Sequence, residues 1–426
     1  MPPIEQAAAK ETSRLIIPPV LDQHAEEASF LAILRDYAVG APNYDLSHLG
    51  KLDKRIDAHL DGLHIAGLKG LNLLLEQLRR NASGEVFAAT VLAFQMGNSP
   101  ALSTLGEHLR TNEEGERYFA AALGWLQWNL VQPWVERLLV SPEPLFRRLG
   151  LAACGMHRHD PGPALLSALG NSDPSVLARA ARTAGELRRR DLMQPIRLHR
   201  LHADDALRFW ANWATAQMGD EEALPILQQF AERPGRFQQR ALHVVLAWQA
   251  RDASMAWIRR MTQIPEQRRI AIKATGLFGD PVALPWLLQQ MQDVPMARVA
   301  GEAFNQITGI DLAMHDLERR DNPDYDAGPS DDPNDPNVAM DEDENLPWPD
   351  AGLIQTWLHS NGGGLQNGTA YLLGEPFSEA ACWRVLTSGN QRQRLVAAGL
   401  LARYVPTRAV FPVSAPVHRQ RRLLNA

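Results

Sequence analysis

The sequence predicts an all-α fold, a solenoid of stacked helical units, and three periodic features carry that expectation. Ala181, Ala211, Ala241 and Ala271 fall thirty residues apart, and the segments around them align without a gap. A fixed period of this length marks units too small to bury their own apolar face, which must lean on their neighbours. Ala184, Ala214, Val244 and Ala274 follow three residues later on the same helical face, where small side chains allow close helix packing. Pro195, Pro225 and Pro285 mark the other end of each unit, with Met255 in the remaining place. Proline suits a first helical turn because its missing N–H has no intrahelical partner there.

Each unit therefore reads as helix, turn, helix. The last shows it best: 267–278 is amphipathic, Gly279-Asp280-Pro281 is a stop and turn, and 283–291 begins a second helix. Asp220 and Asp280 follow Gly219 and Gly279 at equivalent turns, where glycine takes the positive φ of a helix C-terminus and aspartate caps the next helix. Four units in register, with turn chemistry at matching offsets, describe a HEAT-like array with a period of about 30 residues.

The rest of the chain divides around this array. Residues 1–19 read as a disordered lead-in ending at Pro18-Pro19, and 20–140 as an N-terminal helical region. Within it a helix is expected over 20–39, one or two more over 46–80, and a pair over 84–96 and 101–109 broken by Gly97-Asn98-Ser99-Pro100. Trp125, Trp128 and Trp134 read as an aromatic stripe facing the core. The array is placed at 141–320, its first helix pair joined by His157-Arg158-His159-Asp160-Pro161; Gly301 keeps the small-residue position, but Phe304 breaks the pattern and the repeats end near Gly309. An acidic irregular insert is expected over 321–350, where 321–344 holds ten carboxylates, four prolines and no lysine or arginine. Such charge and proline content predicts an extended excursion held open by self-repulsion. The C-terminal region, 351–426, reads as a modified helical end with helices near 353–358, 380–386 and 391–404 and a small basic tail at Arg419, Arg421 and Arg422.

Composition restricts the chemistry. A net charge of −6 leaves no basic footprint for nucleic acid, so direct nucleic-acid binding is not expected. Cys154 and Cys382 lie outside any CxxC spacing and read as buried thiols in a reducing compartment rather than a disulfide or zinc site. The N-terminus lacks a basic region followed by an uninterrupted apolar core, and no apolar stretch approaches the ~20 residues that cross a bilayer. Cytoplasmic placement without membrane contact is the expectation.

No catalytic constellation stands out, and no cofactor or metal is expected. His157, His159 and Asp160 cluster in one turn, and His199 and His202 lie three apart, but neither group has further ligands nearby. Walker A, GxSxG and GxGxxG patterns are absent. Asp341-Glu342-Asp343-Glu344-Asn345 lacks the turn glycine and distal glutamate of an EF-hand loop. A flexible carboxylate string has another use: it can occupy a partner's basic groove in place of phosphates. Candidate partner-binding residues are Asp331, Asp332, Asp335, Asp341, Glu342, Asp343, Glu344 and the flanking Trp348. Arg188-Arg189-Arg190 at a repeat turn read as solvated surface, and Arg392 and Arg394 sit at a helix start, both weak basic signals.

Several segments also resemble a proteobacterial family of HEAT-repeat proteins of uncharacterised function: 52–63 (LDKRIDAHLDGL), Arg208-Phe209-Trp210-Ala211, 300–304 with Ile307-Thr308-Gly309, and Leu346-Pro347-Trp348-Pro349-Asp350. The likeness spans roughly residues 15–424. Members tend to accompany type VI secretion genes, which implies a role around a secreted effector and makes the chain similar to an immunity partner of a type VI nuclease toxin. The repeats also look like the short units of phycobilin lyases, a likeness of scaffold that does not transfer activity. The leading expectation is a non-enzymatic immunity protein that occludes a basic nuclease effector domain. The alternatives are an adaptor or chaperone that loads the effector for secretion, and an enzyme of unknown type on a HEAT-like lyase scaffold.

Overall fold

The computed structural model describes residues 16–78, 83–321, 323, 325, 327–328 and 340–425. The lead-in expected over 1–19 therefore lies mostly outside the described residues, and its last two prolines already open a helix. Two compact units are present: one comprises the chain up to Arg35 with 51–131, the other 36–50 with 132–426. The helices run α1 (Pro18–Ala38), α2 (Leu46–Ile65), α3 (Leu68–Gln77), α4 (Ser83–Gln95), α5 (Ser99–Leu109), α6 (Glu113–Trp125) and α7 (Trp128–Leu139). Asn98 and Asn112 cap α5 and α6 by accepting from Ala101 N and Gly115 N. The tryptophan stripe is not one stripe: Trp125 closes α6 and Trp128 opens α7, with an extended Leu126 between them. Trp125 turns instead to Asp57, donating its indole N–H at 3.1 Å.

The second unit holds the array. Its helices are α8 (Pro144–His157), α9 (Pro163–Leu169), α10 (Pro174–Leu187), α11 (Met193–Arg197), α12 (Asp205–Gln217), α13 (Leu224–Glu232), α14 (Gln238–Trp248), α15 (Arg251–Thr262), α16 (Arg268–Phe278), α17 (Leu284–Gln290) and α18 (Val294–Thr308). The even-numbered helices pack side by side as a first layer, and the odd-numbered ones, shorter except for α15, form a second layer against it. The periodic alanines explain the first layer. Ala181, Ala211, Ala241, Ala271 and their partners at 184, 214, 244 and 274 are all buried in it. The turns follow the expected chemistry, with Gly219 at φ 97° and Gly279 at φ 76°. Asp220 and Asp280 then accept from Glu222 N and Val282 N to start a short 3-10 turn ahead of α13 and α17. Pro225 and Pro285 sit in the first turn of those helices.

After α18 come α19 (Ala351–Asn361), a two-stranded hairpin of β1 (Tyr371–Leu372) and β2 (Glu375–Pro376), then α20 (Glu379–Ser388), α21 (Gln391–Tyr404) and α22 (Val417–Leu424). This region does more than end the array. It retraces it along the C-terminal ends of the first-layer helices, supplying donors and acceptors to carbonyls and side chains that a helix end leaves unmatched. Leu373 N and Gly374 N donate to Gln306 O and Ile307 O at the end of α18, and Tyr371 N donates to Gly279 O after α16. Arg403 reaches Ala247 O in α14. Arg188, left-handed at φ 56° and 6% exposed, donates to Gln217 O, Ala402 O and Val405 O. Val410 N donates to Glu186 O, and Val410 O accepts from Arg158 at 2.7 Å. Arg188 is thus an anchor rather than the solvated surface its three-arginine context predicts, because the retracing chain lies outside any local window.

Candidate partner-binding groove on the first layer

Three cations project from successive turns of α16 and α18: Arg269, Lys273 and Arg298. Each is held on a helix whose opposite face carries the buried alanines, valines and isoleucines, so the register that builds the core also fixes the charged row. Arg240, Arg269 and Arg298 are 29 residues apart, a spacing one short of the alanine period and visible in the sequence once sought.

The turn 341–344 lies across these cations. Asp343, nearly buried, forms a two-pronged pair with Arg269 at 2.7 and 2.9 Å. Glu342 pairs with Lys273 at 2.8 Å and more loosely with Arg269 at 3.4 Å, and Asp341 pairs with Arg298. Lys273 beside it, reinforced by Arg269, pulls the Glu342 carboxyl down to about 2 against the opposing effect of burial. Two main-chain carbonyls are also gripped: Asp343 O accepts from Arg298 at 3.0 Å and Glu342 O from Arg392 at 2.6 Å. Arg392 in turn holds Glu302 of α18 with 3.0 Å bonds to both oxygens. Trp348 closes the assembly, its ring under the Arg298 guanidinium at 4.4 Å. Glu344 is exposed, and Asn345 donates to the Tyr37 hydroxyl at 3.1 Å.

Of the predicted partner-binding residues, Asp341, Glu342, Asp343 and Trp348 are therefore brought together, while Asp331, Asp332 and Asp335 lie outside the described residues. The expected self-repelling, extended string does not hold over 341–343. Three cations from helices some 40 to 70 residues upstream neutralise it, a pairing that local charge counting cannot detect.

Two cavities flank the acidic turn. One of about 360 Å³ lies between Arg269, Arg298, Tyr325 and Met340; the other, about 310 Å³, between Gln239, His243, Gln306 and Leu395. Both share Lys273 and Glu342 in their walls. His243 is pushed down to about 4 by burial and by the neighbouring Lys273 and Arg240, so it is neutral at pH 7.

Two residues of the turn at 157–161 have structural roles. Arg158 caps α8 in the left-handed conformation, and Asp160 pairs with Arg189 at 2.6 Å. The Cys154 thiol is pushed up to about 12 by burial, which removes it from nucleophilic chemistry. Among the described residues no group of three or more His, Cys, Asp or Glu side chains is placed to hold a metal ion.

Comparison with known proteins fits the array. A profile of HEAT repeats matches residues 162–247, the stretch from the α8–α9 turn to the end of α14. The array is a HEAT-like helical-repeat solenoid. The crystal structure of an engineered protein overlays 89% of this chain and 95% of its own at 13% identity, with a TM-score of 0.30. No curated protein matches the chain. Among the described residues no helix is long and apolar enough to cross a membrane.

Proposed function

We propose that the protein is a non-catalytic, protein-binding scaffold, and most concretely a cytoplasmic immunity protein that neutralises a type VI secretion nuclease toxin by covering its active site. HEAT arrays offer extended surfaces suited to protein partners, and the family resemblance points to effector biology. The observation that carries the specific reading is the two-point anchoring of the acidic insert. On one side Arg319 N donates to Trp348 O and Asp350 N to Leu317 O; on the other, 341–343 are held by the array. Between these anchors Asp321 lies 3.8 Å from Arg319, and the run from Asp324 through Asp326, Asp331 and Asp332 to Asp335 contains no lysine or arginine. A tethered run of carboxylates matches the basic substrate groove of a DNA-cleaving domain and accelerates its capture.

The immunity reading expects the toxin gene to lie beside this one, and co-expression with the toxic domain of such an effector tests the proposal. Rescue of growth together with a co-purifying complex is expected; a complex without rescue would support the adaptor role instead. Replacing Asp331, Asp332 and Asp335 by asparagine leaves the anchors intact and should weaken the complex by about tenfold, with a shallower salt dependence.

A further inference from the structure

We propose that the groove floored by α14, α16 and α18 is a binding site for an acidic segment of a protein partner, and that Asp341–Asp343 fill it in the unbound chain as an internal substitute. The inference goes beyond the immunity reading and holds whether or not the partner is a toxin.

The source of the counter-charge is the first observation. In α10 the arginines Arg179 and Arg182 are matched by Glu186 of the same helix, at 3.0 and 2.9 Å. In α16 and α18 the carboxylates that meet Arg269, Lys273 and Arg298 come instead from a loop outside the repeats. The array carboxylates that line the two cavities are Glu232, Glu266 and Glu302, of which Glu232 is held by Arg260 and Glu302 by Arg392; the loop meets Arg269, Lys273 and Arg298 as a ligand would.

The manner of recognition is the second. Arg269 grips one carboxylate with both prongs, the geometry that planar guanidinium and carboxylate groups share. Arg298 and Arg392 hold consecutive peptide carbonyls. The group these arginines hold is an acidic peptide, gripped through side chain and main chain together; guanidinium groups can also grip phosphates, but the net charge of −6 opposes a nucleic acid.

Third, the acidic turn underfills its seat. The cavities on either side of the Lys273–Glu342 pair leave room for longer side chains or a longer segment, lined by Gln239, His243 and Gln306 on one side and Tyr325 and Met340 on the other. The Glu342 side chain, 65% exposed, is the open edge at which exchange begins. An internal occupant lowers the apparent affinity for an external one by the fraction of time it is seated, so the partner's segment must outcompete it, and its arrival frees 341–343.

The test uses the full-length chain and a fluorescein-labelled peptide of residues 338–346 (VAMDEDENL), with binding read by fluorescence anisotropy. In Asp341→Asn/Glu342→Gln/Asp343→Asn the peptide should bind at least about tenfold more tightly than in the unaltered chain. Raising the salt from about 50 to about 300 mM should weaken that binding, because the contact is ionic. Adding Arg269→Ala and Arg298→Ala to the triple variant should abolish it. A triple variant that is folded by circular dichroism yet binds the peptide no better than the unaltered chain overturns the proposal, as does tighter binding of a single-stranded oligothymidine than of the peptide. Should the triple variant fail to fold, Glu342→Gln alone gives the same reading on an exposed side chain, with about a threefold rise expected and no rise counting against the site.

Discussion

Arg394 is, among the described residues, the largest side chain with no exposed surface, and its guanidinium donates to three neutral acceptors: Leu386 O, Gln391 Oε1 and Gln420 Oε1. Burial lowers its pKa to about 10, with Asp45 pulling the other way, so the charge persists at pH 7. Removing it strands those acceptors and opens a cavity; Arg394→Ala should cost about 3 kcal/mol in urea unfolding. Arg394→Lys should recover little, since an ammonium cannot reach three acceptors arranged for a planar fork. Glu186 poses the converse case, one carboxylate among Arg158, Arg179 and Arg182. Burial alone would raise its pKa, but Arg182, Arg179 and Arg158 together hold it at about 2. Because the folded value lies below the unfolded one, its contribution is complete above about pH 4.5 and disappears as the pH falls through about 2. Glu186→Gln should therefore destabilise by about 3 to 5 kcal/mol at pH 7 and by much less near pH 2, so the acid limb of the stability curve flattens. Equal losses at both pH values would mean that the side chain acts through packing and not charge.

At the scale of the helices, two glycines set the spacing of neighbours in the first layer. A Cβ on Gly185 of α10 would stand 2.7 Å from Ala214 Cα in α12, and one on Gly276 of α16 2.8 Å from Ala303 Cα in α18. Helix propensity alone favours alanine over glycine by about 1 kcal/mol. The steric term opposes it: backbone on the other side cannot swing away as a side-chain tip would, and overpacking of this kind costs about 1 to 3 kcal/mol. Gly185→Ala and Gly276→Ala are thus expected to lower the unfolding midpoint, and a rise in either would show that the layer relaxes. The repeat register, the capping aspartates and the left-handed turn glycines were legible because each follows from a local rule applied at a fixed offset. The partners of the acidic turn were not: Asp343 and Arg269 lie 74 residues apart, and Arg269 looks like any charged position on an amphipathic helix until its 29-residue spacing from Arg240 and Arg298 is noticed. The hairpin at 371–376 escaped for a related reason. Its two-residue strands leave no alternating pattern and exist because Gly279 and Gln306 offer main-chain carbonyls to Tyr371 and Leu373.

For the array unit as a whole, the retracing C-terminal segment changes the thermodynamic character expected of a solenoid. A repeat array is stabilised by each unit's interface with the next, and its ends can fray independently. Here Leu373 binds the last repeat helix, Arg403 a middle one, and Val410 the C-terminal ends of α8 and α10, so one continuous segment ties units that are not neighbours in the stack. Fraying at either end then breaks hydrogen bonds that the segment makes elsewhere, which makes the array open as one unit. Hydrogen bonds from a buried charged donor contribute about 1.5 to 3 kcal/mol each, so Arg158→Ala with Arg188→Ala should lower stability by several kcal/mol. The distinctive consequence concerns shape rather than midpoint. In urea, followed by tryptophan fluorescence, the intact array should lose its structure in one steep transition. A chain ending at residue 370 should unfold in a broader, shallower one as repeats open separately. If the shortened chain instead keeps the same slope at a lower midpoint, the C-terminal segment adds stability without coupling the repeats, and the cooperativity resides in the HEAT interfaces themselves.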